Sequence, residues 1–185
     1  MKKFTSVLLV MMLMFALTGC AGSSLLNGSS TNNSGSGYPD KDGFARGYIG
    51  DEMHTSWFDF TVNSAYVTTE YEGYTPDDGN ELLVVELTVH NTFKESVPMF
   101  YDDFQAQWND DAEDAYAWSI ENASSLNKDM FPDEYNLAVN QSRTGLLLYE
   151  VPAGNDDFSI SFQEYFDDDS TGSVFFIYFT AEDRR

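Results

Sequence analysis

The chain has 185 residues, with 31 Asp and Glu against 9 Lys and Arg, and its formal net charge is −22 at pH 7. A surface this acidic repels nucleic acid and anionic lipid head groups, so we exclude nucleic acid as a partner. Strong acidity also occurs in disordered chains, but aromatic residues make up 16% of this one and its apolar runs are regular. Both features favour a packed core.

The first twenty residues have the three-part order of an export signal. Two lysines follow the initial methionine, an apolar run comes next, and the segment closes with Leu17-Thr18-Gly19-Cys20. A basic start, a short apolar run and a small-residue exit are typical of a secretory signal. The closing tetrapeptide resembles the lipobox of bacterial lipoproteins. This resemblance implies cleavage between Gly19 and Cys20 and a diacylglyceryl group on the sulfur of Cys20.

Cys20 also sets the expected location of the protein. Two acyl chains anchor a protein stably, because each buried methylene contributes roughly 0.8 kcal/mol. We therefore expect a protein tethered by its N-terminus to the extracytoplasmic face of the cell membrane. A plain secretory signal and an uncleaved single-span anchor are the alternatives. Since Cys20 is the only cysteine, no intramolecular disulfide is available, and stability has to come from burial.

Residues 20–43 are predicted to be a linker that follows the signal peptide of residues 1–19. The linker is rich in Gly, Ser and Asn, which give the backbone freedom and offer few side chains to bury. About 23 residues of this kind have an end-to-end distance on the order of 25–30 Å. That distance holds a domain just clear of a bilayer. The folded domain is predicted to occupy residues 44–185.

Within this domain, apolar and polar residues alternate with the period of half-buried β-strands. Turn-forming clusters of Pro, Gly, Asn and Asp separate the runs. Residues 121–136 are irregular and predict a short helix or a long loop. The pattern predicts an all-β fold, a β-sandwich of about seven to eight antiparallel strands. The predicted strands centre on residues 58–62, 81–91, 104–108, 116–120, 146–151, 158–162 and 174–180.

Several of these strands resemble a named family. The run from Glu81 to Thr92, ending in Val-His-Asn-Thr, is similar to a strand of the domain of unknown function 4352. Three further features occur in the same order, and the resemblance covers roughly residues 48–180: Asp102-Asp103-Phe104, Thr144-Gly145 and Tyr149-Glu150-Val151-Pro152. It implies an immunoglobulin-like β-sandwich of the kind found in bacterial lipoproteins, and it implies no reaction. Asn140-Gln141-Ser142 departs from the family, which more often has Pro-Gly-Glu there.

Three acidic clusters raise the question of calcium, which prefers oxygen ligands. They lie at residues 102–103, 110–114 and 167–169. The register from Asn109 does not fit a helix-loop-helix calcium loop, because Asp114 stands where a glycine is needed and Ile120 stands where a bidentate Glu is needed. Solvated turns explain the clusters better. Zinc is less favoured still, with two histidines and no free cysteine. We therefore predict no metal site and no cofactor.

Nucleophilic catalysis would need a Ser or Thr beside His54 or His90, together with an orienting acid. Neither histidine lies in a nucleophile motif, and both are predicted to be surface residues. No catalytic residue is predicted. Arg46 and Arg143 are scarce cations in the folded part, and a buried pair with an acid is the structural role expected of them.

Aromatic residues are more numerous than one small sandwich core needs. They could form a rim that binds carbohydrate or protein, or they could fill a core built without disulfides. The residues concerned are Tyr66, Tyr71, Tyr74, Tyr101, Trp108, Trp118, Phe131 and Tyr135.

The sequence thus predicts a membrane-anchored, non-catalytic binding or surface-interaction module. Its expected partners are the membrane, through Cys20, and an envelope protein or carbohydrate. An accessory subunit of a cell-envelope or transport system is one alternative, and an extracytoplasmic hydrolase is another. A binding module predicts an exposed apolar and aromatic patch. A hydrolase predicts a concave pocket with converging acids or a histidine.

Overall fold

A computed structural model describes residues 37–108 and 115–184. The predicted signal peptide, Cys20, most of the linker and the acidic cluster at 110–114 lie outside these residues. Within these ranges there are twelve strands: β1 (Phe44–Tyr48), β2 (Glu52–His54), β3 (Phe58–Thr68), β4 (Asn80–Asn91), β5 (Val97–Phe100), β6 (Gln105–Trp108), β7 (Tyr116–Trp118), β8 (Glu134–Leu137), β9 (Ser142–Pro152), β10 (Asp157–Tyr165), β11 (Thr171–Thr180) and β12 (Glu182–Asp183).

The strands assemble into two principal sheets. Sheet I has the order β1-β11-β10-β6-β7, and sheet II has the order β12-β3-β4-β9, with β2 paired to β3 as well. Strands β5 and β8 form a separate two-stranded ribbon. The predicted fold class, an immunoglobulin-like β-sandwich, is confirmed, and within the described ranges no helix is long and apolar enough to cross a membrane.

Two pairings depart from the expected antiparallel arrangement. Strand β1 runs parallel to β11, and β12 runs parallel to β3. Parallel neighbours cannot be joined by a tight hairpin. Both β1 and β12 lie near the ends of the described chain, and each is adjacent in sequence to a strand of the opposite sheet. They therefore join the edges of the sheets by crossing between layers.

The main core lies between the two sheets and is dominated by aromatic rings. Strand β3 sends Phe58, Phe60 and Val62 inward, as their alternation predicts, and all three are buried. The centroid of the Phe60 ring is 5.2 Å from that of Phe104, and the Phe58 centroid is 4.9 Å from that of Phe162, both in edge-to-face geometry. Such pairs add stability beyond the area they bury. The core is thus dense without a disulfide.

A second apolar cluster covers part of the outer face of sheet II. Leu82, Val84 and Leu148 point away from the main core and are nevertheless fully buried. Residues 120–130 pack over them. So do three tyrosines, one near the end of β3 and two in the loop between β3 and β4: Tyr66, Tyr71 and Tyr74. The region expected to be irregular contains a single 3-10 turn, Ala123–Ser125, before β8 begins. Its function in the fold is to cover this face.

The end of β4 is fixed by a buried asparagine from the family-like run. The side-chain amide of Asn91 donates to the carbonyl oxygens of Glu95 (2.9 Å) and Leu137 (2.7 Å), and its Oδ1 accepts the backbone N–H of Phe93 (2.7 Å). Asn91 is 0% exposed, so each of these bonds replaces a lost bond to water. The Asn-Thr ending is therefore a structural feature.

The turn before β9 forms although it lacks the glycine expected of the family. Asn140 takes the left-handed conformation with φ 59°, which asparagine tolerates better than most residues. The backbone N–H of Gln141 closes the turn on the carbonyl oxygen of Ala138 at 3.0 Å. The departure at Asn140-Gln141-Ser142 is thus compatible with the family fold.

Candidate binding face

The outer face of sheet I carries a shallow groove with aromatic walls. Along β10 and β11, residues that point inward, such as Ile160 and Ile177, belong to the main core. Successive side chains alternate between the faces of a strand. The intervening residues of the five strands therefore share the outer face, and strand register places them in rows.

Two adjacent rows define the groove. From β1 to β7, the first row is Tyr48, Tyr178, Ser159, Gln107 and Tyr116. The second row is Arg46, Phe176, Ser161, Gln105 and Trp118. In both rows, aromatic residues flank a floor of one serine and one glutamine. We call these ten residues the aromatic groove.

The burial of the serines shows that the face is concave. Ser159 and Ser161 are each only 6% exposed although they point away from the core. The walls on either side rise above them, because serine is much shorter than tyrosine or tryptophan. A depression of about 530 Å³ opens at one end of the groove, lined in part by Tyr48, Tyr178 and Gln107.

The aromatic walls expose ring faces and edges to solvent. Tyr48 is 57% exposed, Trp118 47% and Tyr178 39%. On one side, Phe176 and Tyr178 stack with ring centroids 5.9 Å apart. On the other side, Tyr116 and Trp118 meet edge to face at 6.2 Å. These contacts fix the orientation of each wall, so a ligand would meet pre-positioned rings.

The ten groove residues carry almost no charge in a protein that is strongly acidic, although Asp157 lines the depression at one end, where it accepts a hydrogen bond from Thr180 Oγ1 at 2.7 Å. The one ionisable side chain of the ten other than tyrosine, Arg46, lies at the edge with its guanidinium 3.3 Å from Asp40 Oδ2. Both partners are about half exposed, so the expectation of a buried arginine pair is wrong for Arg46. Because β1 is an edge strand, the side chain of Arg46 can reach Asp40 at the protein surface. On the floor, Gln107 Nε2 donates to Gln105 Oε1 at 2.6 Å.

Arg143 lies on β9 of sheet II and stacks on two aromatic rings. Its guanidinium carbon lies 4.9 Å from the centroid of Tyr135 and 5.9 Å from that of Phe131. Burial raises the pKa of Tyr135, and the nearby Asp103 raises it further while Arg143 opposes the shift. Arg143 therefore serves the packing of this region through cation–π contacts.

Most of the aromatic residues singled out from the sequence serve packing. Phe131 is buried, Trp108 and Tyr135 pack against the main core, and Tyr66, Tyr71 and Tyr74 pack into the second cluster. Tyr101 is only partly exposed. Trp118 alone of the eight is strongly exposed, and it belongs to the groove. Sequence reasoning missed the other wall residues: Tyr48, Tyr116, Phe176 and Tyr178. The continuous apolar run of residues 174–179 was the available signal, since it makes both faces of β11 apolar.

The two histidines lie on one cross-strand row of sheet II, on its outer face. His54 pairs in register with Asp59, and Asp59 pairs in register with His90 on its other side. His54 Nδ1 is 3.0 Å from Asp59 Oδ1, and His90 Nδ1 is 2.8 Å from Ser142 Oγ. A serine does therefore lie beside a histidine. The acid is bonded to the other histidine, and the row lies on the opposite sheet from the depression.

The described acidic clusters use their carboxylates within turns. Asp103 Oδ2 accepts the backbone N–H of Phe100 at 2.7 Å, and Asp168 accepts the backbone N–H of Ser170 at 3.1 Å. Burial raises the pKa of Asp103 to about 7, with a smaller contribution from the charge of Asp102. These bonds agree with the interpretation of the clusters as turns.

The fold and the sequence together define the class of this protein. It is an immunoglobulin-like β-sandwich, and the family profile described as Domain of unknown function (DUF4352) matches residues 47–171. The chain belongs to that family, as the resemblance in its strands predicted. No curated protein matches the sequence.

Solved structures of low sequence identity share the fold. The yjhA protein of Bacillus subtilis is 21% identical with a TM-score of 0.51, over 62% of this chain and 80% of that one. The ycdA protein of the same species, described as a putative lipoprotein, is 16% identical with a TM-score of 0.52, over 68% of this chain. The match spans only 38% of the ycdA chain.

Proposed function

We propose that this protein is a non-catalytic binding module that holds a neutral, extended polysaccharide of the cell envelope in the aromatic groove. The lipid on Cys20 would tether it to the extracytoplasmic face of the membrane, and residues 20–43 would act as the spacer. The lipobox-like ending of the first twenty residues supports the anchor. So does the description of ycdA, which shares the fold, as a putative lipoprotein.

The lining of the groove supports a sugar ligand. Flat aromatic rings such as those of Trp118 and Tyr178 stack against the apolar C–H faces of pyranose rings, and their desolvation contributes to affinity. The amides and hydroxyls of the floor match sugar hydroxyls, which both donate and accept hydrogen bonds. Gln105 and Gln107 offer both kinds of atom at once.

The spacing of the groove supports an extended polymer. The two rows are two residues apart along each strand, which is about 7 Å. A polysaccharide chain lying along the strands would therefore contact both rows at once. The walls on β11 and β7 are three strands apart, about 14 Å. This width accommodates a single polysaccharide chain more readily than a folded protein surface.

The observation that carries the proposal is the absence of charge on the floor of the groove. The chain has a net charge of −22, yet serine and glutamine occupy the four floor positions between the walls. An anionic polymer would be repelled by the acidic surface around it. A cationic partner would be drawn to the carboxylates elsewhere. A neutral polysaccharide suits both the lining and the surroundings.

The test is binding of the full chain, in detergent, to a panel of neutral and anionic envelope polysaccharides by affinity electrophoresis and calorimetry. Wild type is expected to bind a neutral polysaccharide. Trp118→Ala and Tyr178→Ala should each weaken binding by about tenfold or more, as the loss of a central aromatic contact does. Phe100→Ala is the matched control, since Phe100 is 43% exposed on the separate β5–β8 ribbon.

Two results would refute the proposal. One is the failure of every neutral polysaccharide to bind. The other is binding that Trp118→Ala and Phe100→Ala reduce equally, because the ligand would then lie elsewhere. Unfolding of each variant should be measured in parallel, so that a loss of folded protein is not mistaken for a loss of contact.

A further inference from the structure

We propose that Glu52, His54 and Asp59 form a binding site for a divalent first-row transition-metal ion of the zinc type on the outer face of sheet II. One donor atom from each residue can be chosen such that the three atoms lie within 4.8 Å of one another. This site is on the opposite sheet from the aromatic groove. It does not depend on the proposed function.

The β2–β3 hairpin brings the three side chains together. Glu52 and His54 are two residues apart on β2, so they share a face, and Met53 between them is fully buried in the core. Asp59 lies opposite His54 in the antiparallel register. The third side chain therefore comes from the neighbouring strand on the same outer face. Two positions of one strand and one of the next supply the corners of a metal site.

The central histidine is held in place on several sides. Its ring stacks on Tyr38 with centroids 4.2 Å apart and an interplanar angle of 24°. The backbone N–H of His54 donates to the carbonyl oxygen of Gly37 at 2.9 Å. Nδ1 already faces Asp59 Oδ1 at 3.0 Å. A histidine held this way loses little conformational freedom when an ion binds.

The charge around the cluster favours a cation. Two carboxylates and a neutral imidazole carry two negative charges, which a divalent ion would neutralise. In residues 37–108 and 115–184, no Lys or Arg nitrogen lies within 4.0 Å of Glu52 or Asp59. His54 is the one ion-pair partner of Asp59 over this range, and it is neutral unless protonated.

The donor set indicates which ion the cluster would hold. Imidazole nitrogen with carboxylate oxygen suits zinc and its neighbours, whereas calcium and magnesium prefer oxygen alone. Three protein ligands leave a fourth tetrahedral position for water. Glu52 is exposed while His54 and Asp59 are partly buried. An ion could therefore enter from solvent with little movement of the hairpin.

His90 provides a matched control within the same row. It pairs in register with Asp59 from β4, but its Nδ1 is engaged by Ser142 Oγ at 2.8 Å. His90→Gln removes a histidine of the same row without removing a proposed ligand. His54→Gln and Asp59→Asn each remove one ligand while keeping the size and polarity of the side chain.

The test uses the full chain in detergent, stripped with chelator, in a Cys20→Ser background so that no free thiol competes for metal. Titration with Zn²⁺ by calorimetry should give one equivalent bound, and Co²⁺ should give a visible absorption band. His54→Gln and Asp59→Asn should each weaken binding by more than about tenfold, the loss seen even for outer-sphere partners of a ligand. His90→Gln should bind like the parent.

Other outcomes would overturn the proposal. Absence of stoichiometric binding by the folded parent would show that His54 and Asp59 form a hydrogen-bonded pair only. Binding that survives His54→Gln would place the ion on the acidic turns instead. Polysaccharide binding by the groove would be unaffected by any of these variants, so the two proposals fail separately.

Discussion

The two outer faces of the sandwich differ in how much of their apolar surface is covered by the rest of the chain. On sheet II, the apolar residues Leu82, Val84 and Leu148 are 0% exposed, because residues 120–130 and three tyrosines cover them. On sheet I, the outer face is at least as aromatic, but Tyr48 and Trp118 remain 57% and 47% exposed. Nothing in the described part of the chain buries them.

This difference indicates that the exposure of the groove is not a by-product of a small fold. Apolar surface gains roughly 25 cal/mol for each Å² removed from water, and the chain realises that gain on sheet II. On sheet I, it instead places Ser159 and Ser161 between aromatic walls, where larger apolar residues would fill the groove. A surface shaped in this way and left uncovered is typical of a binding site.

The largest expected effect tests whether the two faces differ in stability. Leu148→Ala should lower the free energy of unfolding by about 2–5 kcal/mol, because it removes a fully buried side chain and leaves a cavity under the cover. Tyr178→Ala, on the groove, should cost less than about 1.5 kcal/mol, since its ring is partly solvated already. Urea denaturation followed by tryptophan fluorescence measures both. Equal losses would mean that the wall residues are ordinary packing residues.

The strands of the sandwich were not equally predictable from the sequence. Alternation located β3 and β4 because their inward residues are apolar and most of their outward residues are polar or covered. The short strands β1, β2, β5, β8 and β12 were missed. The equally short β6 and β7 were located because each lies within a five-residue alternation, at 104–108 and 116–120. The parallel pairings were missed as well, since they depend on how the chain crosses between sheets.

The groove could be anticipated only in kind. A surplus of aromatic residues indicated a binding rim, but the sequence does not give register, and register decides which rings share a face. Tyr48 and Tyr178 are 130 residues apart in the chain and adjacent in the sheet. The same limitation hid the row of His54, Asp59 and His90, which only strand pairing brings together.

The second expected effect is a pH dependence of stability that arises from Asp103 and leaves binding in the groove unchanged. Burial raises the pKa of Asp103 to about 7, whereas an aspartate in the unfolded chain has a pKa of about 3.9. The folded state therefore holds a proton between these values that the unfolded state has lost. This contribution to stability is complete below about pH 4 and is lost as the pH rises through about 7.

Asp103→Asn should remove this dependence, because the amide stays neutral and its oxygen can still accept the backbone N–H of Phe100. As the pH rises from 4 to 8, the free energy of unfolding of the variant should rise relative to that of wild type, by an amount on the order of 1 kcal/mol. This is less than the full pKa shift would give, because the site relaxes when the carboxylate ionises. Denaturation curves of both proteins at several pH values measure this gain. An advantage that does not change with pH would contradict the assignment. Groove affinity should not change over the same range, since no carboxylate lies on its floor.

The smallest expected effect compares the arginine that each face holds over an aromatic ring. Arg184 lies 4.1 Å from the centroid of Tyr66, at the covered face of sheet II, and Arg46 lies 5.0 Å from that of Phe44, at the edge of the groove. Arg184→Ala should cost about 0.5–1 kcal/mol, because a close cation–π contact and the cover over Tyr66 are lost together. Arg46→Ala should cost less, since its ring contact is longer and its ion pair with Asp40 is exposed to solvent. Arg184→Lys keeps the charge but loses the planar stack on Tyr66. A loss of stability midway between wild type and Arg184→Ala would therefore assign the remaining part of the effect to stacking. A larger loss of stability for Arg46→Ala than for Arg184→Ala would mean that the edge of sheet I depends on the ion pair between Arg46 and Asp40. The contrast between a covered face and an open face would then be weaker than the burial of Leu82 and Leu148 indicates.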